Sequence, residues 1–153
     1  MDTNVGFIPK KYYTGLSKKD TKKQIKFLKK SRKAYKKGTY IDRPSLKSHK
    51  NKISPYIKKF NKVYGVSIKD SKKVEKTTGV TKNAQKRILA KGRGAYYSSG
   101  SRPGQTSDSW AYARLASVIM NGKARPFDQH ILDDEKIVIK KPKQNKTKKS
   151  KKL

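Results

Sequence analysis

Apolar positions recur every three or four residues in five stretches of this chain, the spacing of amphipathic helices. In residues 18–37, Ile25, Leu28, the stem of Arg32 and Tyr35 make one thin stripe; Ser17 precedes it as an N-cap with Asp20 three residues on, and Gly38 follows as a stop. A second stripe, Tyr56, Ile57, Phe60, Val63 and Tyr64, opens at Ser54-Pro55, where proline at the first helical position loses no hydrogen bond, and ends at Gly65. A third helix is expected from Asp70 or Ser71 to the break at Thr78-Gly79. A fourth runs from Thr81 through Ala84, Ile88 and Leu89 to Gly92. The fifth, over residues 107–121, carries Trp110, Ala113, Leu115, Val118 and Ile119 on a broad apolar face and stops at Gly122. Phe127, Ile131 and Leu132 are available to close the core, and Ile137-Val138-Ile139 reads as a short strand.

Between these stripes the pattern lapses. Residues 1–16 read as an irregular arm, 39–53 as a polar connection, 93–106 as an ordered glycine-rich loop, and 140–153 as a disordered tail with no apolar pattern. The expected fold class is mainly α: a small compact domain of about five helices at 74–139, a lysine-rich helical region at 17–73, and basic appendages at both ends.

Charge alters this picture. The chain of 153 residues has 42 Lys+Arg against 10 Asp+Glu, a formal charge of +32. Residues 1–80 hold 24 basic and 5 acidic side chains, residues 81–139 hold 10 and 5, and residues 140–153 hold 8 and none. The ends are thus made for a polyanion, while the middle has a near-ordinary surface. In the first helix, lysines at i,i+4 repel one another, so this helix is expected to complete itself only on its ligand. The phosphate-contacting candidates are Lys22, Lys23, Lys26, Lys29, Lys30, Arg32 and Lys33 there, Lys58 and Lys59 in the second, Lys82, Lys86 and Arg87 in the fourth, and Arg93 and Arg102 in the loop. The loop at 47–52 and the tail at 140–152 add further lysines. Lysine dominates these regions and arginine is scarce, so little reading of base edges is expected.

Other chemistry is thinly supplied. Without cysteine there is no disulfide, thiolate metal site or thiol nucleophile. His49 sits among lysines and reads as solvated; Asp128 and His130 lie two apart, but no nucleophile motif accompanies them. No cofactor, metal or catalytic residue is expected. Arg114, in an apolar helix face, reads as a buried ion-pair partner of Asp128. No run is long and apolar enough for a membrane span or a secretory signal, and the protein is expected to be soluble and not secreted.

Two motifs stay open between readings. Residues 74–89 have the outline of a helix-turn-helix with Val80 as plug, but Glu75 and Gln85 stand where small and apolar residues are expected, which favours a plain hairpin. The stretch KGRGAYYSSGSRPGQT at 91–106 has glycines, the hydroxyls of Ser98, Ser99, Ser101 and Thr106, and two arginines that could cradle phosphate. It lacks a Walker or dinucleotide pattern, and a structural loop packing Tyr96, Tyr97 and Pro103 on Trp110 is the competing reading. Tyrosines 12, 13, 35, 40, 56 and 64 interleave with lysine and could stack on unpaired bases, or simply form thin apolar faces.

A longer set of motifs carries a resemblance: TGV at 78–80, KGRGAY at 91–96, SRPGQT at 101–106, SWAYARLAS at 109–117 and GKARPFDQHIL at 122–132, with IPKKYYTGLSKKDTKKQ at 8–24 and SRKAYKKGTYIDRPSLKSHK at 31–50. Over residues 7–132 the chain resembles an uncharacterised domain family of algal large double-stranded DNA viruses that also occurs in tailed phages. The resemblance implies a viral setting, in the virion or the infected cell, and supplies no site residues. Together with the charge it points to a non-enzymatic nucleic-acid-binding protein, DNA rather than RNA, contacting phosphates without sequence preference. The alternative is a virion structural or core-packing protein whose basic arms face other virion proteins or the genome.

Overall fold

A computed structural model of the chain describes residues 7–49 and 54–142. The first six residues of the expected arm, Lys50 and Lys52 of the 47–52 loop, and the tail beyond Pro142 lie outside the described residues. Among the described residues six α-helices follow one 3-10 turn (Lys10–Tyr12): α1 (Lys18–Lys36), α2 (Pro55–Tyr64), α3 (Ser71–Thr78), α4 (Lys82–Ser98), α5 (Ser107–Ile119) and α6 (Arg125–Asp134). There is no strand among the described residues. The fold is therefore all-helical, as the periodicity predicts.

The local signals fix most helix starts. Ser17 accepts from the Asp20 amide, Asp70 from Lys73 and Thr81 from Ala84, each satisfying a donor of a first turn. Gly65 and Gly79 end α2 and α3 in the left-handed conformation.

Helices α4 and α5 form the central pair. α1 packs on α4, α2 on α5, and α6 on both. Ala84, Ile88 and Leu89 of α4 meet Ala111, Leu115 and Val118 of α5; Phe60, Val74, Val80, Ile131 and Leu132 close the cluster from the other helices. The main core thus crosses the boundary expected at residue 74. A second cluster of Ile8, Tyr12 and Leu28, flanked by Trp110, seats α1 and the N-terminal arm.

Three expectations need correction. The fourth helix does not end at Gly92 but continues to Ser98, because its buried face runs Gln85, Ile88, Gly92, Tyr96 in helical register. Gly92 is a point of contact: an ideal Cβ there would lie 2.6 Å from the Ala111 Cα. The segment at 125–134 is a helix, opened by Pro126 in its first turn, and Phe127 points outward, 71% exposed, leaving Ile131 and Leu132 to face the core. Residues 137–139 pair with no strand; this extended segment instead lies across the α3–α4 turn, the Lys140 amide donating to the Thr78 carbonyl and the Tyr64 hydroxyl to the Lys140 carbonyl.

The two helical glycines of α4 should respond to alanine with opposite signs. Gly94 has only the Tyr35 hydroxyl within 4 Å of an ideal Cβ, at 3.7 Å. Gly94→Ala should therefore stabilise by about 0.5–1 kcal/mol through backbone entropy. At Gly92 the added methyl meets backbone, and overpacking of about 1–3 kcal/mol should outweigh that gain. Thermal melts of the two variants check this, and equal signs would rule out the close α4–α5 approach.

Candidate nucleic-acid interface

At 3.6 residues per turn, Lys18, Lys19, Lys22, Lys23, Lys26, Lys29, Lys30, Lys33 and Lys36 of α1 fall within an arc of roughly 140°. All are exposed except Lys29, which is half-buried. Opposite this arc lie the buried Asp20, Gln24, Leu28, Ser31 and Arg32. At about 1.5 Å per residue the lysine face is roughly 28 Å long.

No acid compensates it on the helix itself. Asp20, the only acid of α1, is turned inward, its Oδ2 accepting from the Ser48 amide at 2.9 Å and the Ser48 hydroxyl at 2.6 Å. Those bonds hold its carboxyl below the usual carboxylate range. They also latch the 39–49 connection to the start of α1, where the Ser48 hydroxyl accepts from the Ser17 amide.

Most other candidates are exposed but not assembled with α1. Lys58 and Lys59 stand on α2, which packs on the other member of the central pair. Lys82 and Lys86 are exposed near the start of α4, but that end is occupied. Glu135, just past α6, accepts from the Thr81 hydroxyl and from Asn83, and both bonds lower its pKa. Arg87 bonds Asp134 at 3.0 Å. Carboxylates stand where a recognition helix would have to meet phosphate, so the geometry agrees with a plain hairpin. Gln85, the residue that departs from the helix-turn-helix pattern, is buried and donates to the Ser71 and Val80 carbonyls, stitching the turn together.

Three of the arginines are turned to structural use. Arg32 is buried, not solvent-facing, and donates to the carbonyls of Ser99 and Phe7; burial lowers its pKa. Arg93 bonds Asp108 at 2.7 Å, a largely exposed pair. Arg114 makes the expected bidentate bond to Asp128, at 2.7 and 2.8 Å, and Lys91 adds a contact at 3.3 Å. Burial pushes the Asp128 carboxyl up, but these partners outweigh it and hold the carboxyl below its ordinary value. Arg102 is exposed in the connection between α4 and α5.

That connection is held by its own internal contacts. Gly92 and Gly94 are helical, Arg93 is paired, and Thr106 caps α5 in a capping box with Ser109. The Ser101 hydroxyl, buried, accepts from Arg43 and donates to the Arg102 carbonyl. Gly100 (φ +118°) lies against Leu28, an ideal Cβ falling 2.6 Å from its Cδ2. Trp110 meets the edge of Tyr12 at 6.2 Å, not Tyr96 or Tyr97.

Arg43 is the residue that sequence reasoning missed. Its guanidinium covers the Tyr96 ring at 3.8 Å and donates to the Ser31 hydroxyl, the Tyr96 carbonyl and the Ser101 hydroxyl. It thereby ties the 39–49 connection to α1, α4 and the turn after α4. The only available signal was its place before Pro44, in an extended segment.

Two surface recesses lie beside Asp20 and Ser48 and beside Tyr64 and Lys140, and Arg93, Arg102, Arg114 and His130 line neither. Among the described residues no group of three or more His, Asp or Glu side chains could hold a metal ion, and no helix is long and apolar enough to cross a membrane. No curated protein and no solved structure matches the chain. One family does match, across the six helices described above: over residues 9–138 the chain belongs to the family of unknown function DUF5824.

Proposed function

We propose that this chain is a non-enzymatic protein that binds nucleic acid, DNA in preference to RNA, through backbone phosphates and without reading sequence. The observation that carries this reading is the lysine arc of α1, a straight cationic face on a helix whose single acid is buried and bonded elsewhere. Lysine suits such contact because it is a compact point charge on a flexible stem that follows phosphates without demanding fixed geometry. Lys58, Lys59 and Arg102 are exposed and would widen the contact. The motif resemblance adds the setting of a large DNA virus.

Counterion release supplies the test. If six to ten cations contact phosphates, duplex affinity should fall by about 10³–10⁵ between 50 and 200 mM salt, and should be similar for unrelated sequences of one length. An affinity that is flat in salt would sink the proposal.

A further inference from the structure

Tyr35 and Tyr40, five residues apart, meet the distant Tyr97 at the C-terminal end of α1. Tyr40 lies against Tyr35 with centroids 5.9 Å apart and against Tyr97 at 5.1 Å, the rings tilted by 42° and 36°. Tyr40 is 66% exposed and Tyr35 is 36% exposed, so the group is built but not covered. Scattered exposed aromatics need no explanation, whereas a contiguous cluster marks a contact surface.

The cluster is held from behind. The Tyr97 hydroxyl donates to Asp42 at 2.8 Å, and the Tyr97 ring meets buried Tyr96 edge-on at 5.0 Å. Tyr96 in turn lies under the Arg43 guanidinium, and its hydroxyl accepts from the Arg43 amide. Tyr40 therefore stands on a rigid base, and presenting its ring costs little ordering on binding. Around it, Lys33, Lys36 and Lys37 are exposed on the same end of α1, and the neighbouring carboxylate, Asp42, accepts from Tyr97.

Planar polarisable rings beside ammonium groups match a ligand that pairs flat π faces with regular negative charge. We infer that Tyr35, Tyr40 and Tyr97 form a stacking platform for the unpaired bases of a single-stranded nucleic acid. The inference rests on the phosphate-binding reading above and sharpens it: the lysine arc would hold the backbone while the platform takes bases that a duplex keeps stacked on each other. An aliphatic protein partner fits less well, because the patch offers hydroxylated rings and positive charge and no exposed aliphatic cluster.

The test uses the full chain and three labelled ligands of about 15 units: oligo-dT, an abasic strand of the same length and charge, and a duplex. Fluorescence anisotropy at fixed salt should show oligo-dT bound about tenfold or more tighter than the abasic strand. Tyr40→Ala and Tyr40→Leu should remove that preference and leave abasic affinity unchanged, while Tyr40→Phe retains it. Equal affinity for oligo-dT and the abasic strand, with both bound in a salt-dependent way, would overturn the platform and leave phosphate binding standing. Failure to bind any of the three would overturn both.

Discussion

Replacing Asp128 with alanine should lower the unfolding free energy by about 3 kcal/mol, at the low end of the range for breaking a buried ion pair. The Asp128 side chain is completely buried, and Arg114, 21% exposed, would be left without its bidentate acceptor; Lys91 is 41% exposed and can retreat into water, which is why the low end applies. The cost should depend on pH in a defined direction. Because its folded pKa is depressed, the Asp128 carboxylate contributes fully above its unfolded pKa of about 3.9, and the contribution is lost as pH falls through the folded value. Chemical denaturation at neutral pH and at about pH 3 should therefore show a large gap between wild type and Asp128→Ala that narrows in acid. A gap that is constant or wider in acid would mean that the charge of the pair is not what matters.

The second large effect concerns binding. Changing Lys22, Lys26, Lys29 and Lys33 together to glutamine removes one row of the α1 arc and leaves its buried face untouched. Near 0.1 M salt each lost phosphate contact should cost roughly tenfold in affinity, and the slope of log K against log salt should shrink by about 0.9 for each. The same variant removes like-charge i,i+4 repulsion between pairs such as Lys22 and Lys26. It should therefore melt at or above the wild-type temperature, which separates lost binding from lost folding. Glutamine substitutions at Lys58 and Lys59 on α2 provide the comparison; an equal loss there would move the centre of the interface away from α1.

The sequence made the helices legible wherever a cap or stop acts within a few residues. Ser17, Asp70, Thr81 and Gly79 do so, and the ends they imply agree with the structure to within a residue or so. It misled wherever a local signal served a distant purpose. Glycine at 92 and 94 reads as loop, yet Gly92 is needed by Ala111, nineteen positions along, and the buried row from Gln85 to Tyr96 shows helical period only if that glycine counts as a core position. α6 was hidden by Phe127, an apolar residue pointing outward. The candidate interface divides the same way. The α1 lysines are visible because a row of one charge at helical spacing shows in the sequence itself, and Arg114 is visible because a cation in an apolar face demands a carboxylate. What the guanidiniums of Arg32 and Arg43 bond was unreadable, since one that satisfies carbonyls has no sequence signature apart from one that waits for phosphate.

The missing side chain at Gly92 acts as a calliper for the molecule. It sets how near α4 comes to α5, and α1 rides on the first while α2 rides on the second. The gap between the lysines of α1 and those of α2, and with it which phosphates along a strand they could touch together, is thus gauged by one absent methyl group in the interior.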